Sequence, residues 1–562
     1  MKSLGERREM LAGRHPRWIV RTLSRQLDDA ALDHPNRPLV ITADRNFSYA
    51  EIAAWSRRLA SAMIALGIET GDRIAIDFAN YPEFVALKFA IARAGAICVP
   101  CNFLLRGSEL AYVLEQSGAA MLVTMDAFRG HDYLADLQQP ACLRTVVAFA
   151  TGKTSSGAAD LSLAALEAAA TADSDTELAR REQSADGHAL SDIIYTSGTT
   201  GRSKGVMLTH DMVLRAAYSS ALTRAFEDGR RILFAMPMYH VFGYVECLIA
   251  ATFVGGAIVP QLVFDPADML DLAETHRASE LVCVPMMTAK LIELARARGF
   301  DSSHLQTMFN SGGVNSPSIW GEIDEALGPR ETVTAYGMTE TTASTTCTLP
   351  EDGRDRLLTS NGGYKLAGVA GDPAIGGRIA EYKAIDPVSG ADLPHGEEGE
   401  LVTRGPVVTR GYYDKPDETA AAFTLDGWLH TGDIGHIGAD GYLVLTGRIK
   451  ESYRCNGEMV MPREVEALFD DHPLLDQALV VGVPDARAGE AGCLCIVAKP
   501  GAEPDHQALI ARCAAELARF KVPRHVLALT AADIPLTVTG RPQKLKLARL
   551  AAERLVAMEG AS

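Results

Sequence analysis

Tyr195-Thr-Ser-Gly-Thr-Thr-Gly-Arg-Ser-Lys-Gly205 gathers glycines, hydroxyl side chains and a lysine directly after the apolar run that ends at Tyr195. Glycine lets backbone N–H groups approach a phosphate, serine and threonine add donors, and Lys204 adds positive charge. The order of residue types is not that of a Walker A loop, because G-x-x-x-x-G-K-S/T cannot be laid on it. The stretch predicts a phosphate-binding turn at the end of a strand, and so an α/β layer around it.

The flanking sequence agrees. From about Pro38 to Gly405, apolar β-branched runs alternate with longer amphipathic stretches, the pattern of parallel sheets covered by helices. Tyr49 to Leu66 and Glu83 to Arg93 read as helices, and Arg73 to Asp77 and Ala96 to Pro100 as buried strands. Thr151 to His188, rich in Ala, Ser, Gly and Asp, reads as a surface connection with one short helix at Leu161 to Ala170. From Gly396 the texture changes to short strands and turns, as in Gly399-Glu-Leu-Val-Thr403 and Gly441-Tyr-Leu-Val-Leu-Thr-Gly447. Beyond Arg448, strand-like Gln477 to Val483 and Cys493 to Lys499 and helix-like Asp505 to Arg519 suggest a compact α+β unit. The expected fold class is α/β, with a large N-terminal body of layered α/β subdomains plus a β-rich subdomain. A small mobile α+β C-terminal domain follows. Boundaries fall at residues 1–448 and 449–562, with a hinge near Lys450. No internal repeat interrupts this plan.

At 562 residues, 47% of them apolar and 22% charged, the chain suits a multidomain globular protein and not a disordered or fibrous one. A formal charge of −17 argues against nucleic-acid binding, so any anionic ligand must be held by locally concentrated groups. Met1 to Arg25 is polar and lacks a secretory pattern, and no apolar run is long enough to span a bilayer, so a cytoplasmic location and no membrane span are expected. Of ten cysteines only Cys98-Val-Pro-Cys101 has metal or redox spacing. With no second pair, these read as small buried residues at a strand end.

The loop at 195–205 closely resembles the phosphate loop of the adenylate-forming superfamily: acyl-CoA synthetases, nonribosomal peptide adenylation domains and beetle luciferases. Further matches follow in family order over nearly the whole chain. They are Ala94-Gly-Ala-Ile-Cys-Val-Pro-Cys-Asn102, Pro237-Met-Tyr-His240 with Gly243, Asn310-Ser-Gly-Gly-Val314, Tyr336-Gly-Met-Thr-Glu340, Gly427-Trp-Leu-His-Thr-Gly-Asp433, and Gly447-Arg-Ile-Lys450 leading to Gly457 and Pro462-Arg-Glu-Val-Glu466.

The resemblance implies a two-step reaction. A carboxylate attacks the α-phosphate of ATP, and a thiol then attacks the acyl-adenylate as the C-terminal domain rotates. It assigns the phosphates to Thr196, Ser197, Gly198, Thr199, Thr200 and Lys204, and adenine to Tyr336 and Gly337 with room left by Gly312 and Gly313. Asp433 and Arg448 fall to the ribose, Thr339 to the α-phosphate and Glu340 to magnesium. His240 borders the acyl carboxylate, with positioning a commoner role than proton transfer. Tyr239, Val241, Phe242, Val284, Met286, Gly312 and Val314 are the expected acyl pocket, suited to a bulky or extended acyl group. Lys450 is the expected hinge, and the loop from Arg454 to Gly457 should line the pantetheine tunnel.

One position departs from the family. Where a lysine follows a glycine near the C-terminus, this chain has Ile534-Pro-Leu-Thr-Val-Thr-Gly540-Arg541-Pro542. In the family that lysine stabilises charge shared by the substrate carboxylate and the α-phosphate. A planar guanidinium does not replace a compact ammonium at such a point. Three readings follow. In the first, adenylation is lost or impaired and the enzyme makes acyl-CoA from acyl-adenylate and CoA, which would call for a separate enzyme supplying the adenylate. In the second, Arg541, Lys544 or Lys546 substitutes, and a complete synthetase uses ATP and magnesium. In the third, the chain is a non-catalytic acyl-adenylate-binding relative. A separate carrier protein is the alternative acceptor to CoA, since both present pantetheine.

Overall fold

The computed structural model describes residues 2–152, 157–196, 202–313, 315–456, 458–485, 487–537 and 540–559. Apolar residues fill most positions of Arg73–Asp77, Ile97–Pro100 and Ala119–Met125, so these strands have no polar face to turn to water. Such strands need cover on both sides. They lie parallel in a seven-stranded sheet whose order is Lys204–Thr209, Leu190–Thr196, Ile97–Pro100, Arg73–Asp77, Ala119–Met125, Thr145–Phe149 and Leu161–Ser162.

Helix Tyr49–Ala65 packs on helix Pro82–Arg93, which in turn packs on this sheet, both close to their expected bounds. The first begins at Ser48, whose hydroxyl accepts from the Glu51 N–H at 3.2 Å while the Glu51 carboxylate accepts from the Ser48 N–H at 2.7 Å. This reciprocal cap satisfies two backbone donors that the helix itself leaves open. Arg73–Asp77 precedes both its neighbours in the chain, one on each side, so the connections diverge at its carboxyl end. That is a topological switch point.

A second seven-stranded sheet runs Glu331–Val333, Thr307–Asn310, Glu280–Cys283, Arg231–Phe234, Ala257–Pro260, Pro38–Ile41 and Asn46–Ser48, parallel except for the last pair. The hairpin of Ala335–Met338 and Ala343–Cys347 follows it. Four antiparallel strands, Glu381–Ile385, Gly399–Arg404, Leu429–Ile437 and Leu443–Arg448, make the β-rich part. From Tyr453 onward a five-stranded sheet and its helices enclose apolar clusters of their own, around Val465 and Leu494 on one side and Val481 and Leu547 on the other. The architecture is thus a large N-terminal body and a small C-terminal domain.

The connection between residues 151 and 188 is more ordered than its composition suggests. Leu163–Glu167 is the short helix expected there, but Ala172–Gln183 forms a second helix of 12 residues. Its surface is almost wholly polar, with only Ser174 and Leu178 buried, so periodicity gave no signal. Thr171, whose hydroxyl accepts from the Ser174 N–H at 3.1 Å, marks its start. Leu4–Arg14 is likewise helical, within the segment read only as polar. Cys98 and Cys101 are both buried at the end of strand Ile97–Pro100. Among the described residues, no helix is long and apolar enough to cross a membrane.

Candidate active site

Strands Leu190–Thr196 and Lys204–Thr209 pair antiparallel with Thr196 opposite Lys204, so these two residues stand at the mouth of the loop between them. Ser197, Gly198, Thr199 and Thr200 lie outside the described residues, as do Val314 and Gly457. The Lys204 ammonium lies 4.7 Å from the centre of the Tyr412 ring. The Tyr412 hydroxyl donates to Glu340 Oε1 at 3.0 Å, and the Thr409 N–H donates to the Glu340 carbonyl at 2.7 Å. One residue therefore joins the phosphate-loop lysine to the proposed metal carboxylate.

Thr339 and Glu340 form the turn Thr339–Thr341 that closes the hairpin beginning at Ala335. Gly337 is required there: a Cβ would lie 2.0 Å from the Ala343 carbonyl oxygen. Burial pushes the Glu340 carboxyl up, against the hydrogen bond from Tyr412 that favours its charged form. A single carboxylate beside Lys204 fits a magnesium ion whose other ligands are phosphate oxygens and water, since magnesium keeps most of its ligands outside the protein.

Across the hairpin, the Tyr336 hydroxyl donates to Asp433 Oδ2 at 2.6 Å and Arg448 Nε meets Asp433 Oδ1 at 2.6 Å. Asp433 and Arg448 face each other across paired strands, which explains the spacing of their motifs. Burial works against the Arg448 charge, but Asp433, Tyr336, Glu451 and Glu340 together hold its pKa above the ordinary value. Lys450 is shifted the other way, by burial and then by the charges of Lys204 and Arg448. Lys204, Arg448, Lys450 and Arg541 thus converge around Glu340, Asp433 and Glu451. In an acidic protein such a gathering of cations suits an anionic ligand.

His240 caps the turn Val241–Gly243, and its Nδ1 accepts from the Phe242 N–H at 3.3 Å. Burial holds its pKa down to about 4. The ring is neutral near pH 7, with Nδ1 engaged as acceptor and Nε2 carrying the proton. It is an N–H donor to its surroundings, an arrangement that favours positioning over proton abstraction.

Gly312 is left-handed, at φ +85°, and a Cβ there would lie 3.3 Å from Val284 and 3.7 Å from Phe242. Phe242 stands edge-on to Phe309 at 5.2 Å. These residues form one apolar corner with Val241 buried behind it. Tyr239 turns elsewhere, edge-on to Phe103 at 5.6 Å. Met286 is 45% exposed, and a Cβ on Gly540 would come within 2.9 Å of its Cε, so the turn carrying Arg541 rests on it.

Within that turn the Thr537 N–H donates to the Arg541 carbonyl at 2.7 Å, and the Arg541 N–H donates to the Thr537 hydroxyl at 3.0 Å. The Arg541 guanidinium donates to Glu451 Oε1 at 3.0 Å. Burial, then the nearby Arg448 charge, lowers its pKa. Lys544 meets Glu466 at 2.7 Å, and Lys546 is exposed. Sequence reading singled out neither Tyr412 nor Glu451. Glu451 directly follows the Gly-Arg-Ile-Lys motif, but its partner is distant in sequence.

A family model described as AMP-binding enzyme matches residues 27–413, and another, AMP-binding enzyme C-terminal domain, matches residues 464–541. The chain belongs to the AMP-binding enzymes. A Mycobacterium tuberculosis CoA ligase named for a methyl-dioxo-octahydro-indenyl propanoyl group is 33% identical over 542 residues, 94% of this chain and 99% of that protein. The medium-chain fatty-acid CoA ligase of Escherichia coli is 30% identical over 521 residues, 91% of this chain and 87% of its own length. The ATP-bound structure of MatB from Rhodopseudomonas palustris matches with a TM-score of 0.81 at 27% identity, covering 94% of this chain and 99% of that one. This AMP-binding enzyme is an acid-thiol ligase of the acyl-CoA synthetase group within the adenylate-forming superfamily. The position of Arg541 is also the last residue matched by the C-terminal family model.

Proposed function

We propose that this acyl-CoA synthetase chiefly performs the thioester-forming half-reaction, acyl-adenylate plus CoA to acyl-CoA plus AMP, and activates free acid with ATP slowly or not at all. The observation that carries the reading is the Arg541 guanidinium, standing in place of a lysine and held by Glu451 at 3.0 Å. Adenylation needs a compact cation between the carboxylate and the α-phosphate while the bond to pyrophosphate breaks. A guanidinium is wider and planar, and an arginine committed to a carboxylate has less charge to lend. Lys544 is committed to Glu466 and is a poor substitute.

The second half-reaction does not call on that position. The CoA thiolate attacks the acyl carbon, the C–S bond forms, the acyl C–O bond breaks, and AMP leaves with the electron pair. Tyr336 and Gly337 would hold adenine, Asp433 and Arg448 the ribose, and Thr339, Thr196 and Lys204 the phosphate oxygens. His240 would direct its Nε2–H toward the acyl group. A domain boundary at 448/449 with rotation about Lys450, and a pantetheine tunnel beside Gly457, belong to the same proposal. When bound, magnesium at Glu340 would neutralise phosphate charge. The comparisons lend no support to a separate enzyme supplying the adenylate.

A complete ATP-dependent synthetase is the second reading. It is favoured by the electrostatic contact of Arg541 with Arg448 and Asp433, which brings a cation to the nucleotide end of the site. The purified chain should form thioester rapidly from synthetic acyl-adenylate and CoA while releasing little pyrophosphate from acid, ATP and magnesium. Rapid ATP-dependent ligation would establish the second reading instead.

A further inference from the structure

The switch point at the carboxyl end of Arg73–Asp77 holds a group that the chemistry above does not use. Asp77 is 1% exposed and Tyr239 7%. Among the described residues, neither the two Asp77 carboxylate oxygens nor the Tyr239 hydroxyl has a partner in hydrogen-bond geometry. The candidates nearby are committed elsewhere. Thr124, opposite Asp77 on the neighbouring strand, is the nearest donor and favours the charged carboxylate, but it has a single hydroxyl proton and the Met125 carbonyl lies 3.1 Å from that hydroxyl. Arg106, whose charge reaches the carboxylate, directs Nη1 to the Phe103 and Leu105 carbonyls, each at 2.9 Å. The Asp77 and Tyr239 side chains are close enough to interact electrostatically.

An independent feature starts from the same tyrosine. Its ring meets Phe103 at 5.6 Å, Phe103 meets Phe128 at 5.8 Å, Phe128 meets Tyr81 at 6.1 Å, and Tyr81 meets Phe149 at 5.2 Å. This aromatic wall runs from the residue beside His240 across the carboxyl ends of the strands, the edge at which open α/β sheets take ligands. An apolar wall bearing a few buried polar groups is how a pocket holds a hydrocarbon and reads one substituent on it.

A carboxylate accepts, and a phenol can donate. A hydroxyl group serves both at once, donating to Asp77 and accepting from Tyr239. A keto group cannot donate to the carboxylate, the form Asp77 takes above about pH 7, and an ammonium, though the phenol oxygen could accept from it, would carry a full charge into an apolar wall. We infer that Asp77 and Tyr239 form a receptor for a hydroxyl group on the distal part of the acyl chain, which makes hydroxylated carboxylic acids the preferred acyl class. The inference rests on the acyl-CoA ligase reading for its substrate but not on which half-reaction is fast.

Binding can be measured without turnover by using acyl-sulfamoyladenosines, stable mimics of the adenylate, as pairs with and without a terminal hydroxyl over a series of chain lengths. The full chain should bind the hydroxylated member of at least one pair about tenfold tighter or more, because a site built for a hydroxyl discriminates strongly against its absence. Asp77→Leu and Tyr239→Phe should each bring that ratio close to one, and Asp77→Asn should retain part of it. A ratio near one at every length in the unaltered protein, as expected if only a buried water joins the two groups, overturns the receptor. So does a ratio that both substitutions leave intact. Should Asp77→Leu fail to fold, Tyr239→Phe, which removes a single oxygen, still decides. Thioester formation from the matching adenylates and CoA tests the ligase reading separately.

Discussion

The Arg541 guanidinium and the Glu451 carboxylate, 90 positions apart in the chain, meet at 3.0 Å immediately beyond Lys450, the proposed hinge. Both partners lie on the C-terminal side of Lys450, so the proposed rotation about it would carry the pair as a unit. A partly exposed pair of this kind contributes roughly 1 kcal/mol or less to stability. Its importance is geometric: it decides where the one cation at the lysine position can point.

Arg541→Lys should raise pyrophosphate release from acid and ATP by about a hundredfold, the scale of a misplacement of about 1 Å at a reacting centre. Thioester formation from preformed adenylate should change far less. An unchanged rate of pyrophosphate release would show that the arginine is not the limiting feature.

Glu451→Gln should free the guanidinium and raise adenylation by several-fold at a cost to stability of about 1 kcal/mol or less. Combined with Arg541→Lys, its effect should depart from additivity, because the two side chains touch. Pyrophosphate release across the four-member cycle measures this coupling, and strict additivity would dismiss the tether.

His240 should impose no inflection on the thioester rate near neutral pH, since its folded pKa is about 4 against an ordinary 6.5. Between those values the unfolded chain binds the extra proton, so this residue makes stability fall as pH falls through the window. A pH series of melting temperatures on the unaltered protein and His240→Gln checks the sign: the variant should lose part of the acid sensitivity.

Asp77 has the opposite sign. Burial pushes its carboxyl up to about 7 from an ordinary 3.8, so the folded chain holds the extra proton between those values and stability falls as pH rises. Asp77→Asn should therefore raise the melting temperature more at about pH 8 than at about pH 5. An equal gain at both would mean that the carboxyl is charged throughout.

Gly337→Ala should destabilise the protein by about 1–3 kcal/mol, the cost of forcing atoms into a filled space, and weaken AMP binding with it. The Cβ would meet the Ala343 carbonyl oxygen, and the hairpin could not close without shifting Tyr336. Calorimetric AMP titration checks this, and wild-type affinity would refute it.

Strands such as Arg73–Asp77 and helices such as Tyr49–Ala65 were legible because their apolar pattern alone decides which surfaces must be buried. Ala172–Gln183 was not, because its ties are a cap, one buried leucine and polar contacts such as Glu182 with Arg93, which leave no apolar period. The facing of Asp433 and Arg448 was implicit in ordered motifs whose strands pair directly. Glu451 with Arg541, Tyr412 with Glu340, and Asp77 with Tyr239 depend on distant segments meeting in space, and one sequence carries no trace of such meetings. A departure such as Arg541 is visible in sequence as a changed residue. What the change is tied to is visible only in three dimensions.

The turn bearing Arg541 is seated on Met286, whose thioether lies where a Cβ of Gly540 would intrude. Methionine is the most pliable of the large apolar side chains. For an acyl pocket that includes Met286, one supple side chain is both upholstery for the substrate and doorstop for the closing turn. Acids of different girth would then set not only how well they fit but how long the door stays shut.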